Sequence, residues 1–419
     1  MKVLVYPHTM VLGGVLNAIE MAAAVRDRGH EVIVLSRPGP LVEAVRQLGL
    51  EHIPLDAKAR RVPSPYAAAQ LTRLVKNRGI DIVNAWEWPS AVEAFAGARL
   101  RAGLPVVCTV FSMSVASFMP RTLPLIVGSE EIAERAAAAG HASVTLIEPP
   151  VDVQANAPGY DPGPFRTELG LGAGPLLVVV CRLAHELKLE GLLAACDAVG
   201  NLAAADVKVQ LAVVGDGPAR REVEAAAAAA NAHAGRRVVI LTGELYDPRP
   251  AYASADVVLG MGGSALRGMA FGKPLVVQGE RGFWELATAE SAPMFLRQGW
   301  YGLGSEADGR AAGAQRLEQI LRELLDDTAT QRRLGEYCRA LVVERYGLDR
   351  AGTVLEEVFA EAIEASNQPS PMRLAADVVH TGVGVLRHKS VRKWRRWRGM
   401  SVASDDSNAV ASIPSRGRQ

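Results

Sequence analysis

Two stretches of this 419-residue chain, LLVVV at Leu176–Val180 and DVVLG at 256–260, are apolar with no alternation. A strand with one face in water alternates apolar and polar residues. A strand that never alternates is buried on both faces, as in parallel sheets covered by helices. Short runs of this kind recur at residues 3–6, 31–35, 82–85, 106–110 and 125–127, and again at 176–181, 209–214, 238–241, 257–259 and 275–277. Ala-rich helical periods fall between them, at 17–28, 66–77, 129–138, 189–199 and 220–234. Strand–helix alternation with right-handed crossovers predicts an α/β fold of doubly wound domains.

The alternation breaks once, in PPVDVQANAPGYDPGP at 149–164, which holds five Pro and two Gly. That composition predicts a linker. The expected organisation is an N-terminal domain over 1–150, a linker over 151–165 and a second domain over 166–345. A cleft between the C-terminal edges of the two sheets is the expected ligand site. Residues 311–365 read as helix only, and the basic segment 367–419 is expected to be a largely disordered tail.

Charge separates body from tail. The chain has 46 Lys/Arg and 45 Asp/Glu; ten and three of these follow Ser370, so residues 1–370 hold 36 and 42. An acidic body excludes a uniformly basic nucleic-acid binder. Cys108, Cys181, Cys196 and Cys338 form no CxxC pair and have no His spaced to join them, which predicts isolated thiols and no metal site. No apolar run approaches the roughly 20 residues of a membrane span. The N-terminal MKVLVYPHTM reads as a first strand rather than a signal peptide. The expected location is cytoplasmic.

Four motifs carry chemistry. Gly13 and Gly14 follow the first strand and open a helix, where the backbone can approach a ligand or simply turn tightly. The pattern is not GxGxxG, and no acidic residue closes the second strand, so a dinucleotide site is not expected. In VVVCRLAHELKLEGLL, Arg182 leaves a strand end and Lys188 follows six residues later. Two cations aimed into a cleft match a diphosphate; the plain alternative is a surface Arg and an ordinary helix Lys. Gly215, Asp216 and Gly217 form a strand-to-helix turn that is a donor-binding candidate or purely structural. Gly262 and Gly263 lead into Ser264, the expected N-cap of a helix whose exposed amides suit an anion.

These residues carry a resemblance. Residues 13–30, Arg182 with Lys188, VVGDGP, ILTGEL, ADVVLG, MAFGKPLVV and the terminal VVERYGLDRAGTVLEEVF resemble, in order, family-4 glycosyltransferases of the GT-B fold. The resemblance spans about residues 1–365. It implies two Rossmann-like domains facing across a cleft, with a terminal helix over 346–366 crossing back to the first. It also implies retaining transfer from a nucleotide-sugar donor without metal or other cofactor. Carried over, Arg182 and Lys188 hold the donor diphosphate, Gly13 and Gly14 adjoin the phosphates or acceptor, and Glu244 and Leu245 lie near the base. The sequence departs from the family in its LEAMA-like stretch, which reads LRGMA: Arg267 stands where the later of two glutamates is usual, and Leu259 stands eight residues before it. The strand-end His common in the family is absent, and Ser112 lies in that region.

Other residues are candidates for the missing functions. Glu87, between Trp86 and Trp88, is a catalytic candidate: rings suit a sugar face or an apolar acceptor, and the carboxylate can bind hydroxyls or take a proton. The plain alternative is a packing cluster with an exposed Glu. His8 is a second acceptor-side candidate, whereas His30 reads as structural. Glu280 and Glu285 are candidates to replace the missing glutamates. From Arg387 to Arg398 the tail carries seven Lys/Arg with Trp394 and Trp397, which suits an anionic membrane better than nucleic acid. The acceptor is open among lipid, polysaccharide and small molecule. A non-catalytic sugar-nucleotide-binding protein and a sugar-nucleotide epimerase are the alternative functions.

Overall fold

The computed structural model describes residues 1–7, 9–10, 14–55, 62–366 and 370–398. The chain forms two units, residues 1–150 with 348–419, and residues 151–347. The first unit alternates β1 (Lys2–Tyr6), α1 (Gly14–Asp27), β2 (Glu31–Ser36), α2 (Val42–Gln47), β3 (Glu51–Pro54), α3 (Pro65–Arg78), β4 (Ile82–Trp86) and α4 (Glu87–Ala94). It continues through α5 (Leu100–Ala102), β5 (Val106–Val110), β6 (Leu125–Val127), α6 (Glu130–Ala138) and β7 (Val144–Leu146). Its seven strands pair in parallel in the order β3-β2-β1-β4-β5-β6-β7. Along β1, Leu4 and Tyr6 enter one core while Val3 and Val5 enter the other, which is why the run shows no alternation.

The second unit runs through α7 (Phe165–Glu168), β8 (Leu176–Val180), α8 (Leu189–Ala204), β9 (Gln210–Val214), α9 (Arg220–Ala234), β10 (Val239–Gly243), α10 (Arg249–Ser254) and β11 (Val257–Gly260). It closes with α11 (Gly262–Ala270), β12 (Leu275–Gln278), β13 (Trp284–Leu286), α12 (Ala292–Gln298), α13 (Arg310–Leu325) and α14 (Thr328–Arg345). Its sheet order is β10-β9-β8-β11-β12-β13, parallel except for β13. Gly268 lets α11 press on β11: a Cβ there would lie 2.6 Å from Val258 Cγ1.

Strand order reverses between β1 and β4 in the first sheet and between β8 and β11 in the second. Loops leaving the C-terminal ends of those strands diverge to opposite faces, and ligands of open α/β sheets bind in the crevice this leaves.

Three strands escape the sequence reading. β3 and β7 have half-exposed residues and lie at the edges, and β13 is a three-residue antiparallel addition. The Pro-rich segment is also not a free linker. Val151 N–H donates to Tyr346 O (2.8 Å), and the Arg339 guanidinium donates to the Val153 and Asn156 carbonyls (2.8 and 2.9 Å), which fixes it within the second unit.

The chain then returns to the first unit in α15 (Leu348–Ser366) and α16 (Pro371–Trp397). On α15, Ala351, Leu355, Val358 and Phe359 join the core of Val3 and Val5. Glu356 accepts from Arg28 Nε (3.0 Å) and pairs with His30 Nε2 (2.8 Å), which gives His30 a structural role. α16 corrects the expectation of a disordered tail. Its sequence is too polar and cationic to signal a core helix, and its order comes from docking on one face. Residues 399–419 lie outside the described residues.

Phe359 is fully buried. Phe359→Ala should destabilise the first unit by about 3–5 kcal/mol, read as a shift of its urea transition. A shift below about 1 kcal/mol would show that α15 is not part of that core.

Candidate functional site

In the second unit, the segment after β8 is stitched to the turn after β9. Cys181 N–H donates to Val214 O (3.0 Å), Leu183 N–H to Asp216 O (3.0 Å), and Ala219 N–H to Leu183 O (2.9 Å). Gly215 has φ +137° and faces the Cys181 carbonyl, where a Cβ would come within 1.9 Å of its oxygen. A Cβ on Gly217 would lie 2.4 Å from Leu183 O. Arg182 stands between these two anchored residues with an exposed side chain, at the end of β8 beside the strand-order reversal. Asp216 serves the turn itself: its carboxylate accepts from Gly217 N–H (2.7 Å) and Arg220 Nη1 (2.8 Å), and these bonds hold its pKa down.

Lys188 occupies the N-cap of α8. Burial of its ammonium lowers its pKa, and among the described residues no carboxylate pairs with it. Its loop is fastened from the far side of the reversal. Gln278 Nε2 donates to Lys188 O (3.0 Å), Leu187 N–H donates to Glu280 Oε1 (3.3 Å), and Gly282 N–H donates to Glu190 Oε1 (2.6 Å). Tyr301 donates its hydroxyl to the other oxygen of Glu280. Of the two candidate replacement glutamates, Glu280 joins this cluster. Glu285 does not: it lies on β13 and pairs with Arg316 of α13 (3.5 Å).

The start of α11 follows β11 at the same edge. Met261, not Ser264, is the N-cap. Ser264 lies one turn inside, where its hydroxyl donates back to Met261 O (3.0 Å), correcting the expected cap. The helix's first three amides have no intrahelical partner. Gly262 N–H is taken by Trp300 O (2.9 Å); among the described residues, those of Gly263 and Ser264 are not taken. Arg267 is half-buried on the next turn. Glu244 and Leu245 follow the outer strand β10, the first exposed and the second packed against the core. Two cations and a positive helix end thus flank the reversal of this sheet. They can hold a dianion and stabilise negative charge as it develops.

In the first unit, Gly14 opens α1, while His8 and Gly13 lie outside the described residues. Glu87 follows β4 with φ +64°, and its Oε1 accepts from the amides of Phe111 (3.0 Å) and Ser112 (3.1 Å). Its carboxylate caps the end of β5 and orders the next loop. The flanking rings do not form a sugar platform. Trp86 is 3% exposed and stands edge-on to Phe111; Trp88 is 2% exposed and stands edge-on to Phe118. They enter opposite cores because a strand ends and a helix begins between them.

Sequence reasoning missed a buried acid nearby. Glu93 accepts from the Tyr6 hydroxyl and from Ser64 N–H (2.6 Å), with Arg37 at 3.8 Å. Burial raises the pKa of both Glu93 and Tyr6. A lone Glu in the apolar helix sequence WPSAVEA was the available signal. The four cysteines are free, and burial pushes the Cys196 and Cys338 thiols up to about 12, which makes them unreactive.

Comparison with known proteins agrees with this architecture. Residues 13–155 match the family described as Glycosyltransferase Family 4, and residues 174–322 match Glycosyl transferases group 1. The chain belongs to these GT-B glycosyltransferases. No curated protein matches it. Among solved structures it is similar to HepE of Anabaena in complex with UDP-glucose, with TM-score 0.66 and 17% identity over 86% of this chain and 100% of that one. A glycosyltransferase of Rickettsia africae gives TM-score 0.65 and 16% identity over 86% and 98%. Sucrose-phosphate synthase of Thermosynechococcus elongatus gives 0.64 and 17% over 87% and 100%.

Lys188, with no carboxylate partner among the described residues, generates a stability prediction. Its pKa is lowered on folding, so the unfolded chain holds the proton more tightly. The contribution to stability is full above the ordinary value of 10.5, is lost as pH falls through the lowered folded value, and at neutral pH is a penalty. Lys188→Met should therefore keep or raise the melting temperature at pH 7. A clear fall would mean that the ammonium has a stabilising partner in the folded chain.

Proposed function

We propose that this chain transfers a sugar from a nucleotide-sugar donor to an acceptor hydroxyl, with retention and with its own cations in place of a metal. The observation that carries the reading is the placement of Arg182, Lys188 and the α11 amides around the strand-order reversal of the second sheet. HepE, of similar fold, is seen with UDP and with UDP-glucose, which supports a nucleotide diphosphate as the group held here. Retention and independence of metal rest on the family resemblance.

In the reaction, the bond from the sugar's anomeric carbon to the diphosphate oxygen breaks, and the diphosphate leaves with the electron pair. Arg182, Lys188 and the Gly263 and Ser264 amides stabilise that charge as it grows. The acceptor oxygen bonds to the anomeric carbon, and its proton passes to the departing phosphate. The first unit takes the acceptor, with Glu87 holding the loop at Ser112 in place.

Arg182→Ala should lower kcat/KM by about 10²–10³-fold while the melting temperature is unchanged, in a screen of UDP-, GDP- and ADP-sugars by mass spectrometry. Near wild-type turnover would remove the central element of the reading. Donor binding by the wild type with neither transfer nor slow hydrolysis would favour a binding protein, for which Arg267 in the place of the usual glutamate is the motivating observation.

A further inference from the structure

One face of α16 is built into the first unit. Asp377 Oδ2 accepts from the amide (2.7 Å) and hydroxyl (2.5 Å) of Thr122, and His380 Nε2 meets Ser117 O at 2.9 Å. Gly384 passes so close to Phe118 that a Cβ would lie 2.1 Å from the Phe118 Cβ. The His388 ring packs on Trp88 and Phe118 with centroids at 5.4 and 5.5 Å.

The opposite face is apolar and open. Met372, Val379, Val383, Leu386, Trp394 and Trp397 are between 46% and 83% exposed. At 3.6 residues per turn they fall within an arc of about 80°, so they form one stripe down the helix. Arg387, Lys389 and Lys393 are exposed beside the stripe, and the Arg398 guanidinium stacks over the Trp394 ring at 4.3 Å. No acidic residue occurs from Val378 to Ser404, whereas residues 1–370 are net acidic.

We infer that α16 is an interfacial anchor whose outer stripe seats on an anionic lipid surface. The two properties select the occupant together. An apolar stripe needs a medium that removes it from water, and the cations beside it need negative charge within a Debye length. Headgroups over acyl chains supply both at the depth where Trp side chains settle. A nucleic-acid groove would neutralise the cations but leave Val379, Val383 and Leu386 in water. No helix of the described residues is long and apolar enough to cross a membrane, so the helix lies along the surface. Its inner face rests on the segment that starts at Phe111 and Ser112, the amides held by Glu87. That places the C-terminal edge of the first sheet beside the lipid.

The inference stands apart from the transfer reading, since its test uses neither donor nor acceptor. Full-length protein is co-sedimented with vesicles of phosphatidylglycerol and phosphatidylcholine in equal parts, and with phosphatidylcholine alone. Binding is expected only to the anionic vesicles and should weaken as salt rises. The combined variant Val383→Ser, Leu386→Ser and Trp397→Ser should lower partitioning by about tenfold or more at unchanged melting temperature, because these side chains touch no core. Lys389→Gln with Lys393→Gln should lower it as well and flatten its salt dependence. Equal binding to neutral vesicles, or undiminished binding by the stripe variant, would overturn the inference. So would tighter binding to RNA or duplex DNA than to vesicles, or self-association that the stripe variant abolishes while vesicles are ignored.

Discussion

The turn after β9 lies against the segment after β8 more closely than any side chain permits, and the placement of Arg182 depends on that approach. A Cβ at Gly215 would sit 1.9 Å from the Cys181 carbonyl oxygen, well inside contact distance. Removing two side chains lets two strand ends share their hydrogen bonds directly, so amides that would otherwise need water are satisfied by neighbouring backbone. Arg182 is held between bonded residues as a consequence, and its guanidinium starts from a fixed point. The first unit meets the same need differently. At the end of β5 the amides of Phe111 and Ser112 turn to a side chain, the Glu87 carboxylate.

Much of this fold was legible because parallel strands covered on both sides are made mostly of apolar residues. LLVVV, DVVLG and their counterparts announce a core on each face, and the intervening Ala-rich periods supply the cover. β3, with the sequence EHIP, was not legible because an edge strand needs no such composition. α16 failed for another reason. Its docking face is mostly polar or small, with Asp377, His380 and Gly384 on the 117–122 segment and His388 on Phe118 and Trp88. Leu374 and Val385 add apolar packing, but the face gives no clear apolar period.

The site was legible where glycine spacing and cations mark strand ends, and illegible where a role depends on direction. Trp86-Glu87-Trp88 reads as a ring-flanked carboxylate, yet the backbone turns at Glu87 and sends the two rings into opposite cores. Ser264 is a good capping residue type, but α11 begins two residues earlier, at Gly262, whose φ of +54° only glycine adopts readily, so Met261 is the cap and the serine lies inside. Gln278, Glu280 and Tyr301 fasten the Lys188 loop from some 90 or more residues away in sequence. No local pattern encodes that pairing; it follows from β12 lying beside β11 once the sheet has formed.

Two titratable groups, Glu93 buried and Lys188 half-buried, show how the units differ in what they leave unsatisfied. Glu93 has the Tyr6 hydroxyl, the Ser64 amide and Arg37 around it, so its environment is complete without any ligand. A buried acid of that kind fixes packing. Lys188 has a desolvated ammonium and, among the described residues, no carboxylate, although its backbone is held in place by Gln278. Holding a cation rigidly while withholding its counter-charge costs folding free energy, and the natural compensation is an anion arriving from solvent. If the proposed diphosphate is that anion, its binding relieves the same desolvation that lowers the lysine's pKa. Affinity and lysine protonation are then linked: the ligand should raise the Lys188 pKa, and binding should weaken as pH climbs through the depressed value of the free protein.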